Sequence, residues 1–205
     1  MITKSRLAIA LSKIKGFNDP KIRLEQYITD SEIAAEILWN AYLEGDIEGK
    51  TVADLGCGTG IFSLGCVKLN AKKVYAVESD KDALDIAREN LKSRTCTFIN
   101  SDVKEFDKKV DTVIQNPPYG TKDKHADREF LVKAFQISNK IYSMHKLSTS
   151  SFVEKIAEDY EFKIKKVLKF NFPLKKSYQF HKKKTEKIEV GCWVLYKSSS
   201  SSCKV

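Results

Sequence analysis

A glycine-rich segment that directly follows a short apolar stretch constrains the fold more than any other part of the sequence. Thr51-Val52-Ala53 has the character of a short buried strand, and Asp54-Leu55-Gly56-Cys57-Gly58-Thr59-Gly60 comes next. An apolar helical pattern then runs from about Ile61 to Leu69. Glycines in a strand-to-helix turn allow a tight backbone and let a ligand approach it closely. The segment therefore predicts a ligand-binding turn between a buried strand and a helix.

The spacing of the three glycines and the acid before them narrow the class of ligand. A dinucleotide-binding loop has the pattern GxGxxG, whereas Gly56, Gly58 and Gly60 are separated by single residues. Asp54 precedes the turn, where its carboxylate would repel a pyrophosphate but can hold a cationic amino acid group, directly or through water. The pattern therefore favours a cofactor that carries an amino acid group over a dinucleotide.

Strand and helix patterns alternate through most of the chain. After the first strand we expect strands at about 73–77, 96–100, 111–115 and 141–144, and helices at about 81–93, 127–139 and 148–159. The last two apolar segments, at about 162–172 and 187–196, have strand character with no helix between them, so they should pair as an antiparallel hairpin. This order predicts an α/β fold, with a doubly wound, mainly parallel sheet and helices on both faces.

A chain of 205 residues is long enough for one domain with a full core. We expect a single domain over 1–197, which begins with a helical segment over 1–48, and a flexible tail over 198–205. Within the helical segment, Thr29 or Asp30 can cap a helix from Ser31 to about Leu43.

The five cysteines, at positions 57, 66, 96, 192 and 203, are an odd number with no CxxC pair. Structural zinc needs ligands at short, paired spacings, so we expect reduced thiols and no bound metal. No apolar run approaches the about 20 residues that cross a bilayer. Lys13 and Lys15 interrupt the apolar N-terminal stretch too early for a signal peptide. These features predict a cytoplasmic protein with no membrane partner.

Two further acids follow predicted strands. Glu78 ends the second strand, where a carboxylate can accept both ribose hydroxyls of an adenosine. Asp102 follows the third strand, where a carboxylate or its neighbouring backbone can bind the adenine amino group. Since the carboxyl ends of parallel strands share one edge of the sheet, these acids and Asp54 should lie around one ligand. Together with the glycine turn they predict S-adenosylmethionine as the cofactor.

The fourth predicted strand runs into Asn116-Pro117-Pro118-Tyr119, which indicates the methyl acceptor. An amino group on a conjugated ring or amide is a poor nucleophile, because its lone pair is delocalised. The Asn116 side-chain oxygen and the Pro117 carbonyl can accept hydrogen bonds from both of its N–H groups, and the two prolines fix the backbone that presents them. Tyr119 offers a face on which a displaced adenine ring can stack. The motif therefore predicts methylation of a planar amino nitrogen.

Lysines and aromatic residues are concentrated near the C-terminal end. Residues 163–187 contain ten lysines and one acid, in a chain whose net charge is +9. A solvated strand face with a lysine-rich loop is one interpretation. However, aromatic residues and a histidine interleave with the lysines, at positions 170, 172, 178, 180 and 181. Lysines for phosphates beside aromatic rings for bases are typical of proteins that bind single-stranded or irregular nucleic acid.

The chain resembles the class I N6-adenine methyltransferases, whose motif is (D/N/S)-P-P-(Y/F/W). More closely, it resembles the archaeal and eukaryotic methyltransferase-like protein five family, which methylates a single adenine in small-subunit ribosomal RNA. The segments that carry the resemblance are Leu24-Glu25-Gln26-Tyr27 with Thr29, Asp54 to Gly60, Asn116 to Thr121, and Phe180-His181-Lys182-Lys183-Lys184. The resemblance implies a Rossmann-like class I methyltransferase fold, in which the C-terminal hairpin completes a seven-stranded sheet.

The glycine turn and the resemblance together assign the functional residues. The cofactor contacts expected from the glycine turn and the acids after the strands are Asp54, Gly56, Cys57, Gly58, Thr59, Gly60, Glu78 and Asp102. By resemblance, Gln26, Thr29, Ile61 and Val103 also contact the cofactor. By resemblance, the segment Phe180, His181, Lys182, Lys183 and Lys184 contacts RNA. The eukaryotic family member works with a small zinc-containing activator that pairs along a sheet edge. Here the expected edge is the strand Cys96 to Asn100, which is uncharged around Phe98 and open to such a partner, or covered by the chain's own loops.

Other substrates are compatible with the same acceptor motif. It also occurs in enzymes that methylate the glutamine amide of translation release factors, but those usually carry a larger N-terminal domain and do not need a lysine-rich hairpin. DNA adenine methyltransferases commonly add a domain that reads sequence. An RNA-binding module without activity would not need Asp54, Glu78, Asn116 and Tyr119. We therefore expect a ribosomal RNA adenine as substrate, with the protein amide and other RNA or DNA adenines as alternatives.

Overall fold

The computed structural model describes residues 2–119, 126–174 and 186–197. The strands in these residues are β1 (Thr51–Leu55), β2 (Lys73–Glu78), β3 (Cys96–Asn100), β4 (Thr112–Gln115), β5 (Lys140–Lys146), β6 (Lys163–Leu174) and β7 (Glu186–Tyr196). The α-helices are α1 (Lys4–Leu11), α2 (Ser31–Leu43), α3 (Ile61–Lys68), α4 (Lys81–Asn90), α5 (Ala126–Ile137) and α6 (Ser150–Asp159). The strands form one sheet in the order β3-β2-β1-β4-β5-β7-β6.

The strands from β3 to β5 run parallel, and the hairpin of β6 and β7 closes the sheet in the antiparallel sense. The predicted Rossmann-like α/β fold, with seven strands and a C-terminal hairpin, is therefore confirmed. β1 and β4 are almost completely buried, as expected for parallel strands covered on both faces. β3 lies at one edge of the sheet, as predicted, and exposes part of its side chains.

Alternate side chains along the strands belong to two hydrophobic clusters, one on each face of the sheet. Val74 and Ala76 belong to the cluster under α1, α2, α3 and α4, whereas Val77 belongs to the cluster under α5 and α6. Trp193 and Val194 of β7 divide in the same way. This period of two follows from the pleat of a strand, and it places helices on both faces.

Side-chain caps fix where the first two helices begin. Asp30 accepts hydrogen bonds from the backbone N–H groups of Glu32 and Ile33, at 2.9 and 3.3 Å. Of the two caps that the sequence allowed for α2, Asp30 is therefore the one used. α1 begins after Thr3, whose hydroxyl accepts from the N–H of Arg6.

The ends of two helices differ from the sequence pattern. α4 stops at Asn90, before the expected end near 93, because Leu91 is extended, with φ of −130° and ψ of 92°. The side chain of Asn90 donates to the carbonyl oxygens of Lys15 and Thr59, at 2.9 Å each, and so joins the end of the helix to two other segments. α5 ends at Ile137 rather than near 139. In the described residues no helix combines the length and apolar character that crossing a bilayer requires.

Candidate active site

A cavity of about 210 Å³ opens where β1, β2, β3 and β4 end. The sheet order reverses between β1 and β4, so the cavity lies at the switch point where open α/β sheets bind ligands. Of the residues predicted from the sequence, those that line it are Gln26, Thr29, Gly56, Cys57, Gly58, Thr59, Ile61, Glu78, Asp102, Val103, Asn116 and Pro118. The topology thus brings most of the predicted cofactor contacts together with Asn116 and Pro118 around one cavity. The other predicted site residues, Asp54, Gly60, Pro117 and Tyr119, do not line it.

The glycine turn forms one wall of this cavity, and two of its glycines are required for steric reasons. Gly56 has a φ of 67° and Gly58 a φ of 52°, in the left-handed region that strains other residues. A Cβ on Gly56 would lie 2.8 Å from the ring of Phe130, and one on Gly58 would lie 3.0 Å from the ring of Phe17. Both rings line the cavity. The turn therefore keeps open a space that any side chain at these positions would enter.

The carboxylate of Glu78 lies beside the turn and is held by two backbone donors. Its Oε2 accepts from the N–H of Gly58, and its Oε1 accepts from the N–H of Asp80, both at 2.9 Å. Burial raises the pKa of Glu78, and these two hydrogen bonds oppose that shift. The hydroxyl of Ser79 also donates to Oε1, at 3.4 Å, whereas Oε2 retains a further lone pair. Glu78 is therefore fixed in place and can still accept hydroxyl groups from a ligand in the cavity.

Asp102 and Val103 occupy the cavity wall after β3. The Asp102 carboxylate is exposed and accepts from the N–H of Lys104 at 2.9 Å, which begins one turn of 3-10 helix over Val103–Glu105. Val103 is buried. A polar group and an apolar group thus stand side by side at the strand end, a combination that suits the edge and the face of a purine ring.

Asp54 lies behind the glycine turn and does not line the cavity. Its Oδ2 accepts from the N–H and the hydroxyl of Ser63, at 2.8 and 2.6 Å. Its Oδ1 is buried and has no hydrogen-bond partner among the described residues. Burial raises the pKa of Asp54 to about 7. A cation close to the turn would favour the ionised carboxylate, so the site suits a ligand with an ammonium group.

Residues 21–29, which we call the N-terminal strap, are attached to the start of α4. The side chain of Gln26 accepts from the N–H of Lys21 at 2.8 Å and donates to the carboxylate of Asp80 at 2.7 Å. Asp80 also caps α4 and pairs with the ammonium group of Lys21. Both polar groups of Gln26 are thus engaged within the protein, and this residue shapes the cavity wall next to Glu78.

The same strap holds the side chain of Asn116. The amide Nδ2 donates to the hydroxyl of Thr29 at 3.0 Å, and Oδ1 accepts from the hydroxyl of Tyr27 at 3.1 Å. Because these contacts occupy both ends of the amide, they define which way it points. Oδ1 has a second lone pair that the tyrosine does not use. Asn116 therefore presents an oriented hydrogen-bond acceptor at the cavity wall.

Tyr119 is held next to Asn116 by three contacts. Its backbone N–H donates to the carboxylate of Glu25 at 2.7 Å, and Glu25 has a left-handed φ of 49°. Its ring centroid lies 5.5 Å from that of Tyr27, at an interplanar angle of 35°. The ammonium group of Lys146 lies 5.5 Å from the Tyr119 centroid. Burial raises the pKa of the Tyr119 hydroxyl to about 12, so at neutral pH this residue is an uncharged aromatic surface.

Comparisons with known proteins identify the family. Residues 29–141, more than half of the chain, match the model of the methyltransferase small domain. The chain is 40% identical to the rRNA N(6)-adenosine-methyltransferase METTL5 of Danio rerio, over 90% of this chain and 94% of that protein. It is 38% identical to the rRNA N(6)-adenosine-methyltransferase Mettl5 of Drosophila melanogaster, over 89% of this chain and 91% of that one. The chain belongs to the METTL5 family.

A solved structure has the same architecture as this METTL5-family chain. The crystal structure of a candidate RNA methyltransferase from Pyrococcus horikoshii superposes with a TM-score of 0.88, at 48% identity, over 96% of this chain and 98% of that one. The predicted family and fold class are therefore confirmed, and the chain is a methyltransferase. The predicted RNA-contacting segment, Phe180 to Lys184, lies outside the residues that the structure describes.

Several residues of the METTL5-family site were not predicted from the sequence. They hold or shape the predicted residues, and they are Phe17, Ser63, Asp80, Phe130 and Lys146. Tyr27 and Glu25 belong to a segment that carries the resemblance but had no predicted role, although they contact Asn116 and Tyr119. Asp80 had one local signal, since an aspartate directly before a helical pattern is a typical cap.

The buried Asp54 carboxyl predicts a characteristic pH dependence of stability. Its pKa is about 7 in the folded protein, against 3.8 for the free group, so the folded chain retains a proton that the unfolded chain has lost between these values. The contribution of Asp54 to the free energy of unfolding therefore falls as the pH rises from 3.8 to about 7. His145 acts in the opposite direction, because burial lowers its pKa from 6.5 to about 3. The contributions of Asp54 and His145 to stability oppose each other. The contribution of Asp54 is therefore measured as the difference in unfolding free energy between an Asp54 variant and the wild type.

We therefore expect Asp54→Asn to gain stability relative to the wild type as the pH rises from roughly 4 to 7, and the difference to level off above that range. Urea unfolding of both proteins at a series of pH values measures it. Asp102→Asn, which changes an exposed acid, serves as the control and should give a smaller change. A stability difference that is constant, or that falls, between pH 4 and 7 would contradict the raised pKa of Asp54.

Proposed function

We propose that this chain is an S-adenosylmethionine-dependent N6-adenine methyltransferase that acts on small-subunit ribosomal RNA. The observation that carries the proposal is the oriented amide of Asn116, a residue that lines the cavity at the start of the Asn-Pro-Pro-Tyr motif. The METTL5 relatives, which are named as rRNA N(6)-adenosine-methyltransferases, support the same reaction.

Several features of the cavity support S-adenosylmethionine as its ligand. The positive φ values and the steric limits at Gly56 and Gly58 keep room beside the backbone. Glu78 would accept the ribose hydroxyls, and Asp102 with Val103 would contact the adenine. Asp54, whose Oδ1 has no partner within the described part of the chain, would balance the ammonium group through the turn or through water. When bound, this cofactor supplies an electrophilic methyl group on a sulfonium centre.

The residues of the acceptor motif can make the delocalised lone pair of an adenine amino group available for methylation. The N6 lone pair of adenine is conjugated with the ring, so it becomes nucleophilic only as the nitrogen pyramidalises. Asn116 Oδ1 would accept one N6–H and the Pro117 carbonyl oxygen the other, which would favour the pyramidal nitrogen and direct its lone pair towards the methyl group. The bond between that methyl group and the sulfonium sulfur would break as the bond to nitrogen forms. Tyr119 stacks on the displaced base. A proton leaves the nitrogen after the methyl group has been transferred, so the reaction needs no strong base at the site.

A methyl-transfer assay with labelled S-adenosylmethionine tests the substrate. Purified small-subunit ribosomal RNA should be labelled, and digestion of that RNA to nucleosides should place the label in N6-methyladenosine. Translation release factor, assayed in parallel, should remain unlabelled, and Asn116→Ala should label neither. Label on the release factor alone would establish the glutamine-amide alternative and refute the proposal. Label on other RNA or on DNA, but not on small-subunit RNA, would agree with the proposed methylation of adenine but refute small-subunit RNA as the substrate.

We further propose a protein partner at the β3 edge of the sheet, namely a small zinc-containing activator. β3 is a terminal strand, so one side of its backbone has no neighbouring strand in the described residues. Phe98 is half-buried there, with the guanidinium group of Arg88 at 5.7 Å from its ring. An uncharged edge strand of this kind is open to strand addition.

The edge partner can be tested with two matched variants. Phe98→Glu should prevent co-elution with the purified activator subunit on size exclusion, because it places a charge in the strand that would pair. Ile164→Glu makes the same change at a half-buried position of β6, the opposite edge strand, and should leave co-elution intact. Undiminished co-elution of the Phe98 variant, or equal loss in both variants, would refute this site for the partner.

A further inference from the structure

The ammonium group of Lys146 lies at the end of β5, beside an aromatic ring. No carboxylate of the described residues lies within salt-bridge distance of it, whereas Lys104, Lys140, Lys165, Lys166 and Lys197 each have one. Instead, it lies 5.5 Å from the ring centroid of Tyr119. A cation placed over an aromatic ring is weakly stabilised and remains available to an anion.

Its position in the sheet places this charge at the acceptor site. Lys146 is the last residue of β5, the strand next to β4, and β4 leads into Asn116. Across the sheet it pairs with Val190 of β7, which in turn pairs with Phe170 of β6. Tyr119 and Phe170 pack against the same hydrophobic cluster. A cation, a tyrosine ring and a second aromatic residue therefore lie on one face of the sheet, where the β6–β7 hairpin begins to extend beyond β5.

We propose that Lys146 binds a backbone phosphate of the nucleotide whose base is methylated. This inference rests on the proposed RNA substrate and extends it to a residue that selects that substrate class. A base stacked on Tyr119 carries its own phosphodiester only a few bonds away, and an ammonium group beside that ring is placed to neutralise it. A glutamine amide in a protein has no such phosphate. Lys146 thus distinguishes a nucleic acid substrate from a protein substrate that offers the same planar amino group.

The experiment uses Lys146→Gln, Lys146→Arg and a control, Lys140→Gln, in the full-length chain. Lys140 is the first residue of the same strand, so it lies at the end of β5 away from Lys146. Its ammonium group also lies near a tyrosine ring, 6.0 Å from the centroid of Tyr196. Steady-state methylation of small-subunit RNA is measured over a range of salt concentrations. Binding of S-adenosylmethionine is measured separately by calorimetry, since a phosphate contact does not involve the cofactor.

Loss of a phosphate contact affects the bound RNA and the transition state alike, so Lys146→Gln should raise KM about tenfold and leave kcat within about twofold. The slope of log(kcat/KM) against log salt should become less steep by about 0.7 to 0.9. Lys146→Arg should have a KM and a salt slope close to those of the wild type, and Lys140→Gln should match the wild type in both. A wild-type KM and salt slope in Lys146→Gln, a fall in kcat alone, or equal effects of the two glutamine variants would each overturn the proposal. Failure of the wild type itself to methylate RNA would overturn the proposed function and this role together.

Discussion

Asn116→Ala is expected to lower kcat for RNA methylation by about a hundredfold to a thousandfold, the loss that accompanies removal of one oriented group from the reacting centre. The variant removes the oriented amide of Asn116 and leaves the glycine turn and Glu78 unchanged. Binding of S-adenosylmethionine, measured by calorimetry, should therefore stay within about threefold of the wild type. Single-turnover kinetics with excess enzyme isolates the chemical step from binding and product release.

Two other variants separate the role of the oxygen from the role of the fold. Tyr27→Phe keeps the ring and removes only the hydroxyl that donates to Asn116, so it should lower kcat less than Asn116→Ala does. Asn116→Asp keeps the acceptor oxygen, replaces the amide NH2 with a second oxygen and should retain part of the activity, because Thr29 can donate to an aspartate instead of accepting from the amide. An Asn116→Ala enzyme with a near-normal kcat, or one that no longer binds the cofactor, would show that Asn116 does not act as the acceptor of N6–H.

The sheet was predictable because its signals are local. Each buried parallel strand is a short apolar run, and each is followed by a turn and a helical pattern, so the order of elements can be derived from the sequence. The same holds for the main site residues, since Asp54, Glu78, Asp102 and Asn116 lie in or directly after parallel strands, whose carboxyl ends share one edge. A residue's position relative to a strand end therefore carried most of the functional information.

The contacts that hold the site could not be derived in this way, because they join residues far apart in the sequence. Gln26 meets Asp80 across 54 residues, and Glu25 meets Tyr119 across 94. Nothing in the spacing of either pair encodes the contact, and the N-terminal strap has no regular periodicity. The same reason explains Thr29, which the local pattern offered as a helix cap: its hydroxyl instead accepts from Asn116, and Asp30 takes the cap.

For Asp54, the sequence predicted the position in the chain but not the direction of the side chain or its pKa. Its place before the glycine turn predicted a carboxylate near the cofactor, but the alternation of β1 points it to the face where α3 packs, and there it binds Ser63. Asp54 therefore does not line the cavity, whereas the sequence had left open both direct contact with a ligand and contact through water. The raised pKa follows from this burial and has no counterpart in the sequence, because burial is a property of the packed fold.

Glu78→Ala is expected to weaken S-adenosylmethionine binding by at least about a hundredfold. A hydrogen bond to a charged acceptor contributes about 1.5 to 3 kcal/mol, so two ribose hydroxyls together correspond to a factor of more than about one hundred. The variant also frees the N–H groups of Gly58 and Asp80, which Glu78 holds at 2.9 Å. Calorimetry with S-adenosylmethionine measures the loss. Asp85→Ala, at an exposed position on α4 that pairs only with Arg88 in the described structure, is the control and should bind normally.

Glu78 has two proposed roles, as an acceptor for the ribose and as a support of the glycine turn, and a thermodynamic cycle separates them. If the carboxylate binds the ribose directly, replacing the 2′-hydroxyl of S-adenosylhomocysteine by hydrogen should weaken binding to the wild type at least about tenfold and have little effect on Glu78→Ala. If Glu78 only organises the turn through Gly58, the two changes should act independently and their free energies should add. Glu78→Gln keeps one acceptor oxygen but must turn an amide N–H towards either Gly58 or Asp80, so its affinity should lie between those of the wild type and the alanine variant. Additive losses in the cycle would remove Glu78 from the ribose and leave it as a support of the glycine turn.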